Sequence, residues 1–279
     1  MHHLIFLIIL AGIWLVFAAI YDLKKRMVPN WLSFSLIIFA LGFRFFYSLF
    51  NENFIFFYQG LIGLGIFFII GNALYYGRVF AGGDAKLMIA LGAVLPFSEN
   101  FFKNIESFSF FILLFLFVGG FYGLIWSIFL TINNFKIFKK EFINQFNNNR
   151  KIIYSVMIFA LFFMVLGFFE ILLFYLGSLI FVMPYFYIYS KSVDNSCLVK
   201  TLNVKKLEEG DWLYKDLKIG KKVIKAKWEG LTNKQIKEIQ KNCKKIKIRQ
   251  GIPFVPTFLI SFLVFVYFYY QNINLFSFF

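Results

Sequence analysis

Residues 4–26 read LIFLIILAGIWLVFAAIYDLKKR, an apolar run from Leu4 to Ile20 closed by Asp22 and then by Lys24, Lys25 and Arg26. A run of that length crosses the hydrocarbon of a bilayer as a helix. Its basic cluster follows the apolar residues instead of preceding them. The segment therefore reads as an uncleaved anchor with its N-terminus outside, and Asp22 falls at the cytoplasmic end of the first span. The chain as a whole is of the same kind: 279 residues, 60% hydrophobic and only 15% charged, a composition that fits a membrane solvent and not a soluble core. The excess of 29 Lys and Arg over 14 Asp and Glu is what cytoplasmic loops beside spans supply, so it does not call for a nucleic-acid partner.

Working outward, Pro29 blocks helix continuation and Asn30 is expected to cap the next helix through the backbone N–H of Leu32 or Ser33. A second span over 31–50 follows, with Arg44 expected to snorkel toward its outer end. Asn51–Asn53 forms an outer loop, and a third span over 54–76 carries Gly60, Gly63, Gly65 and Gly71, which admit neighbouring backbones. After Gly77 and Arg78 comes Phe80-Ala81-Gly82-Gly83-Asp84. The apolar stretch behind it, 85–97, is too short to cross roughly 30 Å of hydrocarbon at about 1.5 Å per residue. It must begin inside the membrane's thickness, which recesses Asp84 at a helix N-terminus beside two glycines. Asp22 and Asp84 are the only aspartates before residue 194. Carboxylates at the edge of membrane spans are costly and mark functional sites, so they are candidates for a proton-sharing pair.

The remaining chain supplies a fifth span over 108–131, with Gly119 and Gly123 in G-x-x-x-G spacing, and a basic inner segment over 133–151. Residues 152–189 exceed one span and read as a hairpin turning at 167–170. Residues 190–252 hold 17 Lys and Arg against 7 Asp and Glu and form a small cytoplasmic domain, with strands expected over 198–202, 221–227 and 244–248. Thr232 and Gln235 form a capping box for a helix over 233–242, with Leu231 and Ile236 as its staple and Ile236, Ile239 and Cys243 as its apolar face. Pro253 and Pro256 open a last span to about Tyr270. The expected fold is an all-α polytopic membrane bundle of about eight spans, with a small α+β domain before the last. Its division is 1–189, 190–252 and 253–279. Cys197 and Cys243 lack metal-ligand spacing, so no metal or cofactor is implied.

Two stretches together, Asp22-Leu-Lys-Lys-Arg-Met-Val-Pro29-Asn30 and Gly82-Gly83-Asp84-Ala85-Lys86-Leu87, resemble the A24 family of membrane aspartyl peptidases, the type IV prepilin and archaeal preflagellin peptidases. Glu209-Gly210-Asp211-Trp212 and Gly251-Ile252-Pro253-Phe254-x-Pro256 are similar to archaeal members. The family pattern G-x-G-D has glycine where this chain has Ala81, and the bacterial members' zinc-binding cysteine cluster and N-methylation have no counterpart here.

The resemblance implies an endopeptidase that removes the short basic leader of prepilin-like or preflagellin-like precursors at the cytoplasmic face of the plasma membrane. Asp22 and Asp84 would be its catalytic pair, and Gly82, Gly83, Lys86, Pro29 and Asn30 would support the motif or the substrate. One carboxyl would activate water while the other gives a proton to the amide being broken. Asp22 ends the first helix and Asp84 starts the fourth, so helix dipoles alone assign Asp22 as acid and Asp84 as base; nearby cations oppose that order. The basic domain is expected to meet anionic headgroups. Rival readings are a cation or proton transporter using paired carboxylates and a scaffold that binds pilins without cutting them.

Overall fold

The structure, a computed structural model, describes residues 2–220 and 222–271. Residues 272–279 of the expected last segment and Lys221 of an expected strand lie outside them. The helices are α1 (His2–Lys25), α2 (Asn30–Phe50), α3 (Ile55–Tyr76), α4 (Gly82–Gly92), α5 (Phe101–Asn133), α6 (Phe135–Asn148), α7 (Arg150–Leu166), α8 (Ile171–Ser196), α9 (Asn233–Asn242) and α10 (Val255–Tyr270). Five of them, α1, α2, α3, α5 and α8, are long and apolar enough to cross a bilayer. The pair α6 and α7, bent by 73°, makes a sixth if taken as one span, and α10 is a shorter apolar helix. The chain divides into two compact units, residues 1–124 with 252–279 and residues 125–251.

In the first unit α1 to α4, the first part of α5 and α10 enclose a core of Leu7, Leu15, Leu36, Phe67, Leu91, Phe111 and Phe262. α3 and α4 approach closely because glycines face each other. A Cβ on Gly63 would collide with the Gly92 carbonyl and one on Gly71 would lie 3.0 Å from the Ala85 carbonyl, whereas Gly65 faces open space and takes no part. α4 is shorter than the stretch 85–97 suggests. It ends at Gly92, and at about 1.5 Å per residue its 11 residues rise only half the hydrocarbon thickness.

The carbonyls just beyond that end are taken by Arg44, which does not snorkel. Its side chain is fully buried. Nε donates to the Ala93 carbonyl at 2.9 Å, Nη1 to that of Phe56 at 2.9 Å, and Nη2 to those of Val94 at 3.0 Å and Pro96 at 2.6 Å. The guanidinium also lies over the Phe56 ring at 4.2 Å. A helix C-terminus leaves carbonyls unpaired and carries partial negative charge, and in a membrane no water reaches them. Arg44 answers both needs. Gly60 leaves room for it, since a Cβ there would lie 2.5 Å from Arg44 Cδ.

In the second unit α7 and α8 form the expected hairpin, with the turn at 167–170. Gly177 fits against Ala160 and Met164. The small domain follows as β1 (Val199–Asn203), β2 (Trp212–Leu213), β3 (Leu217–Ile219), β4 (Lys222–Ile224) and β5 (Lys245–Arg249). β1, β5 and β2 make an antiparallel sheet in that order, and β3 pairs with β4. In β5, Ile246 and Ile248 are buried while Lys245 and Lys247 are exposed, the period-2 pattern of a half-buried strand. α9 spans the expected residues and carries the full capping box of Thr232 and Gln235. Leu231, Ile236 and Ile239 join Val204, Leu213, Ile224, Ile246 and Ile248 in a core of the domain's own. The Glu209–Trp212 motif is a turn there: Gly210 takes φ +95°, open only to glycine without strain, and its N–H donates to the Leu231 carbonyl at 2.9 Å.

Candidate active site

Asp22 lies in the last turn of α1, which stops at Arg26. That residue adopts φ +59° and donates its N–H to the Asp22 carbonyl at 2.8 Å. The chain then turns through Val28 and Pro29 into α2. Asn30 does not cap that helix. α2 starts at Asn30 with Pro29 in the cap position and no side-chain cap bond, and the Asn30 carboxamide oxygen accepts from Lys86 Nζ at 2.7 Å instead. Lys86 is one helical turn beyond the start of α4, so this bond ties the two motif stretches together.

A second joint lies beside it. A Cβ on Gly83 would stand 3.2 Å from Val28 Cβ, tighter than ordinary contact, whereas one on Gly82 would find only the Tyr75 ring at 3.7 Å. Neither glycine is among the residues with positive φ, so both serve by being small and not by their conformational freedom. Ala81, in the cap position of α4, has φ −70° and ψ 160°, a region open to any L-residue. The backbone does not require a glycine at this point.

Asp84 is the third residue of α4, where an acidic side chain meets the positive end of the helix, and the Ala81 N–H is directed to its carboxyl. The charge of Asp22 acts on Asp84, so the two carboxyls lie within electrostatic reach of each other. Asp22 is 6% exposed. Its Oδ2 accepts from the Val255 N–H at 2.9 Å, the first N–H of α10, and the Phe254 N–H and the Arg26 charge also act on it. The dipole argument from α1 and α4 alone is therefore incomplete. Both carboxyls meet a helix N-terminus, because α10 brings a second one to Asp22. Tyr122 on α5 lies within electrostatic reach of Asp22 and Arg26.

Phe254 is anchored among Phe80, Phe115 and Phe258, with ring centroids 6.3, 5.7 and 6.5 Å away. Phe80 precedes α4, so one aromatic cluster mounts the starts of both α4 and α10. Val255, Phe254 and Tyr122 are the site residues that sequence reasoning missed. The first two belong to the Gly251–Pro256 motif, whose residues mark the place without revealing that a main-chain donor is what it delivers. Tyr122 lies in an apolar run with no signal of its own. Among the described residues no group of three or more His, Cys, Asp or Glu is placed to hold a metal ion.

Residues 9–128, which include both aspartates, match the type IV leader peptidase family. A preflagellin peptidase of Methanocaldococcus jannaschii is 33% identical over 88 residues, 32% of this chain and 37% of the relative. A preflagellin peptidase of Methanococcus maripaludis is 26% identical over 88 residues, 32% of this chain and 38% of the relative. The matched stretch thus spans less than two-fifths of either relative's length. No solved structure matches the chain significantly. The likeness to the type IV leader peptidase family thus lies in residues 9–128, which carry both motif stretches.

Proposed function

We propose that the chain is a membrane aspartyl endopeptidase that removes the short basic leader of prepilin-like or preflagellin-like precursors at the cytoplasmic face, with Asp22 and Asp84 as its catalytic pair. The observation that carries this reading is the joint between the two motif stretches. Val28 on Gly83 and Asn30 on Lys86 hold the turn after Asp22 against the helix that bears Asp84, and the two carboxyls interact. The family match and the preflagellin peptidase relatives support the reaction class; the transporter reading has no comparable support.

In the proposed reaction Asp22, which receives the Val255 N–H, is the base. It takes a proton from a water whose oxygen attacks the scissile carbonyl carbon, while Asp84 gives its proton to the carbonyl oxygen. In the second half Asp22 returns the proton to the amide nitrogen as the C–N bond breaks. Asp84 recovers its proton from the resulting diol, restoring both starting states. The pair titrates as one unit, so its pH profile belongs to the dyad and to neither residue alone. Membranes carrying the chain should shorten a precursor with a basic leader; binding without shortening would favour a scaffold.

The proposed topology has eight membrane segments, α1 to α5, α7, α8 and α10, of which the recessed α4 reaches only part of the way as a helix, with Lys24, Lys25 and Arg26 inside. The basic domain is on the same side and meets anionic headgroups. Single cysteines at Glu170 and Lys222 should label from opposite faces, outer and cytoplasmic respectively. Labelling of both from one face would overturn this topology.

The packing on Val28 also sets an order among variants. Gly83→Val should cut leader cleavage at least ~tenfold, because its branched side chain must push Val28 and the turn after Asp22 outward. Ala81→Gly and Gly82→Ala should stay within about twofold, since the first only removes a methyl group and the second adds one in ordinary contact distance of the Tyr75 ring. Normal cleavage by Gly83→Val would mean that this joint does not set the geometry of the pair.

A further inference from the structure

We propose that the backbone N–H of Val255 is a positioning group for Asp22, so that the candidate active site is completed by the N-terminus of α10, more than a hundred residues beyond the family match that contains both aspartates. This rests on the reading of Asp22 as the base of the pair.

The start of α10 is built in an unusual way. A helix N-terminus normally satisfies its first N–H groups with a polar side chain in the cap position. Here the cap position is Phe254, which offers no oxygen, and α10 has no cap bond from it. Pro256 has no N–H to give, and the Thr257 N–H is spent on the Phe254 carbonyl at 3.0 Å. The N–H groups of Phe254 and Val255 remain, both act on Asp22, and that of Val255 goes to Asp22 Oδ2, 233 positions away in sequence.

The arrangement serves Asp22 as much as it serves the helix. A buried carboxylate needs hydrogen bonds to hold its charge, and a donor at a helix N-terminus favours that charge. The groups that face Asp22 are Arg26 at the end of its own helix, Asp84 on α4, Tyr122 on α5 and the N–H groups of Val255 and Phe254 on α10. Arg26 and Tyr122 have side chains that rotate. The main-chain donor is fixed, because Phe254 beside it is locked among Phe80, Phe115 and Phe258. Gly119 leaves the space that the Phe254 ring fills: a Cβ there would lie 2.9 Å from its Cζ. The same cluster carries Phe80 into α4, so the donor for Asp22 and the helix bearing Asp84 are mounted together.

The test is to replace the Val255 amide by an ester, incorporating 2-hydroxy-3-methylbutanoic acid at that position of the full chain in lipid vesicles. The side chain is kept and the N–H is lost, while the Phe254 carbonyl stays in place as a weaker acceptor for Thr257. Cleavage of a precursor with a basic leader is then followed against pH. The acidic limb of the kcat/KM profile should move upward by at least about 0.5 pH, because the charged form of Asp22 has lost a donor. Mere loss of folded protein would lower the profile without moving it. An unmoved limb, in a chain whose cleavage still needs Asp84, overturns this inference and leaves the peptidase reading standing.

Should the ester variant not accumulate, melting of Asp22→Asn and Asp22→Ala decides the matter. The Asn oxygen still accepts from Val255 and should keep Tm near wild type, while Ala should lower it by at least ~2 °C. Equal melting of the two variants contradicts the contact. A wild type that cuts no precursor removes the peptidase reading itself and this inference with it.

Discussion

Asp22→Asn and Asp84→Asn are each expected to lower leader cleavage by about 10²–10⁴-fold while the protein still inserts and folds. One carboxyl cannot both take a proton from water and supply one to the substrate, and an amide does neither. The two variants should be alike in this loss. Folding should survive because asparagine is isosteric with aspartate, and at position 22 its oxygen still accepts the Val255 N–H seen at 2.9 Å. The measurement is single-turnover cleavage by purified variants, with size-exclusion profiles as the control for folding. Cleavage within about tenfold of wild type by either folded variant would remove that residue from the chemistry.

Arg44→Leu is expected to have the largest effect on stability. It would strip donors from the carbonyls of Ala93, Phe56, Val94 and Pro96, in a place where no water can replace them. At about 1–3 kcal/mol for each buried group left unpaired, the loss rivals the whole ~5–15 kcal/mol of a typical domain. Little folded protein should therefore be recovered from membranes. Arg44→Lys should fall between, since an ammonium keeps the charge and loses the planar fork that reaches several carbonyls at once. The readout is the fraction of monodisperse protein in detergent and its melting temperature. An Arg44→Leu protein that melts within ~2 °C of wild type would show that the C-terminal end of α4 is held by something else.

The fold was legible wherever one physical signal dominated. The apolar run of α1 and its basic close, the Thr232–Gln235 capping box and the alternation of Ile246 and Ile248 each give an element from neighbours in sequence. So does the turn between α7 and α8, where length alone demanded a break. The failures have a common cause. Arg44, Asn30 and Asp22 take partners 12 to 233 positions away, and nothing in their own surroundings says so. Arg44 read as a charge in search of water, yet the stronger demand came from carbonyls freed where α4 stops. Asn30 read as a cap, yet Lys86 competes for the same oxygen. The dipole argument for Asp22 considered only the helix that carries it and missed the helix that ends on it. Gly82 and Gly83 look alike in sequence, and only packing tells the one that meets Val28 from the one that does not.

The central claim, that this chain cuts a leader peptide, is tested most directly by mass spectrometry of a purified precursor incubated with the full-length chain in lipid vesicles. The precursor carries a short basic leader ahead of a hydrophobic segment. The expected result is one new N-terminus between the two, produced by wild type and absent with Asp22→Asn and with Asp84→Asn. An intact precursor after prolonged incubation with folded wild type, or the same cut made by both Asn variants, would contradict it.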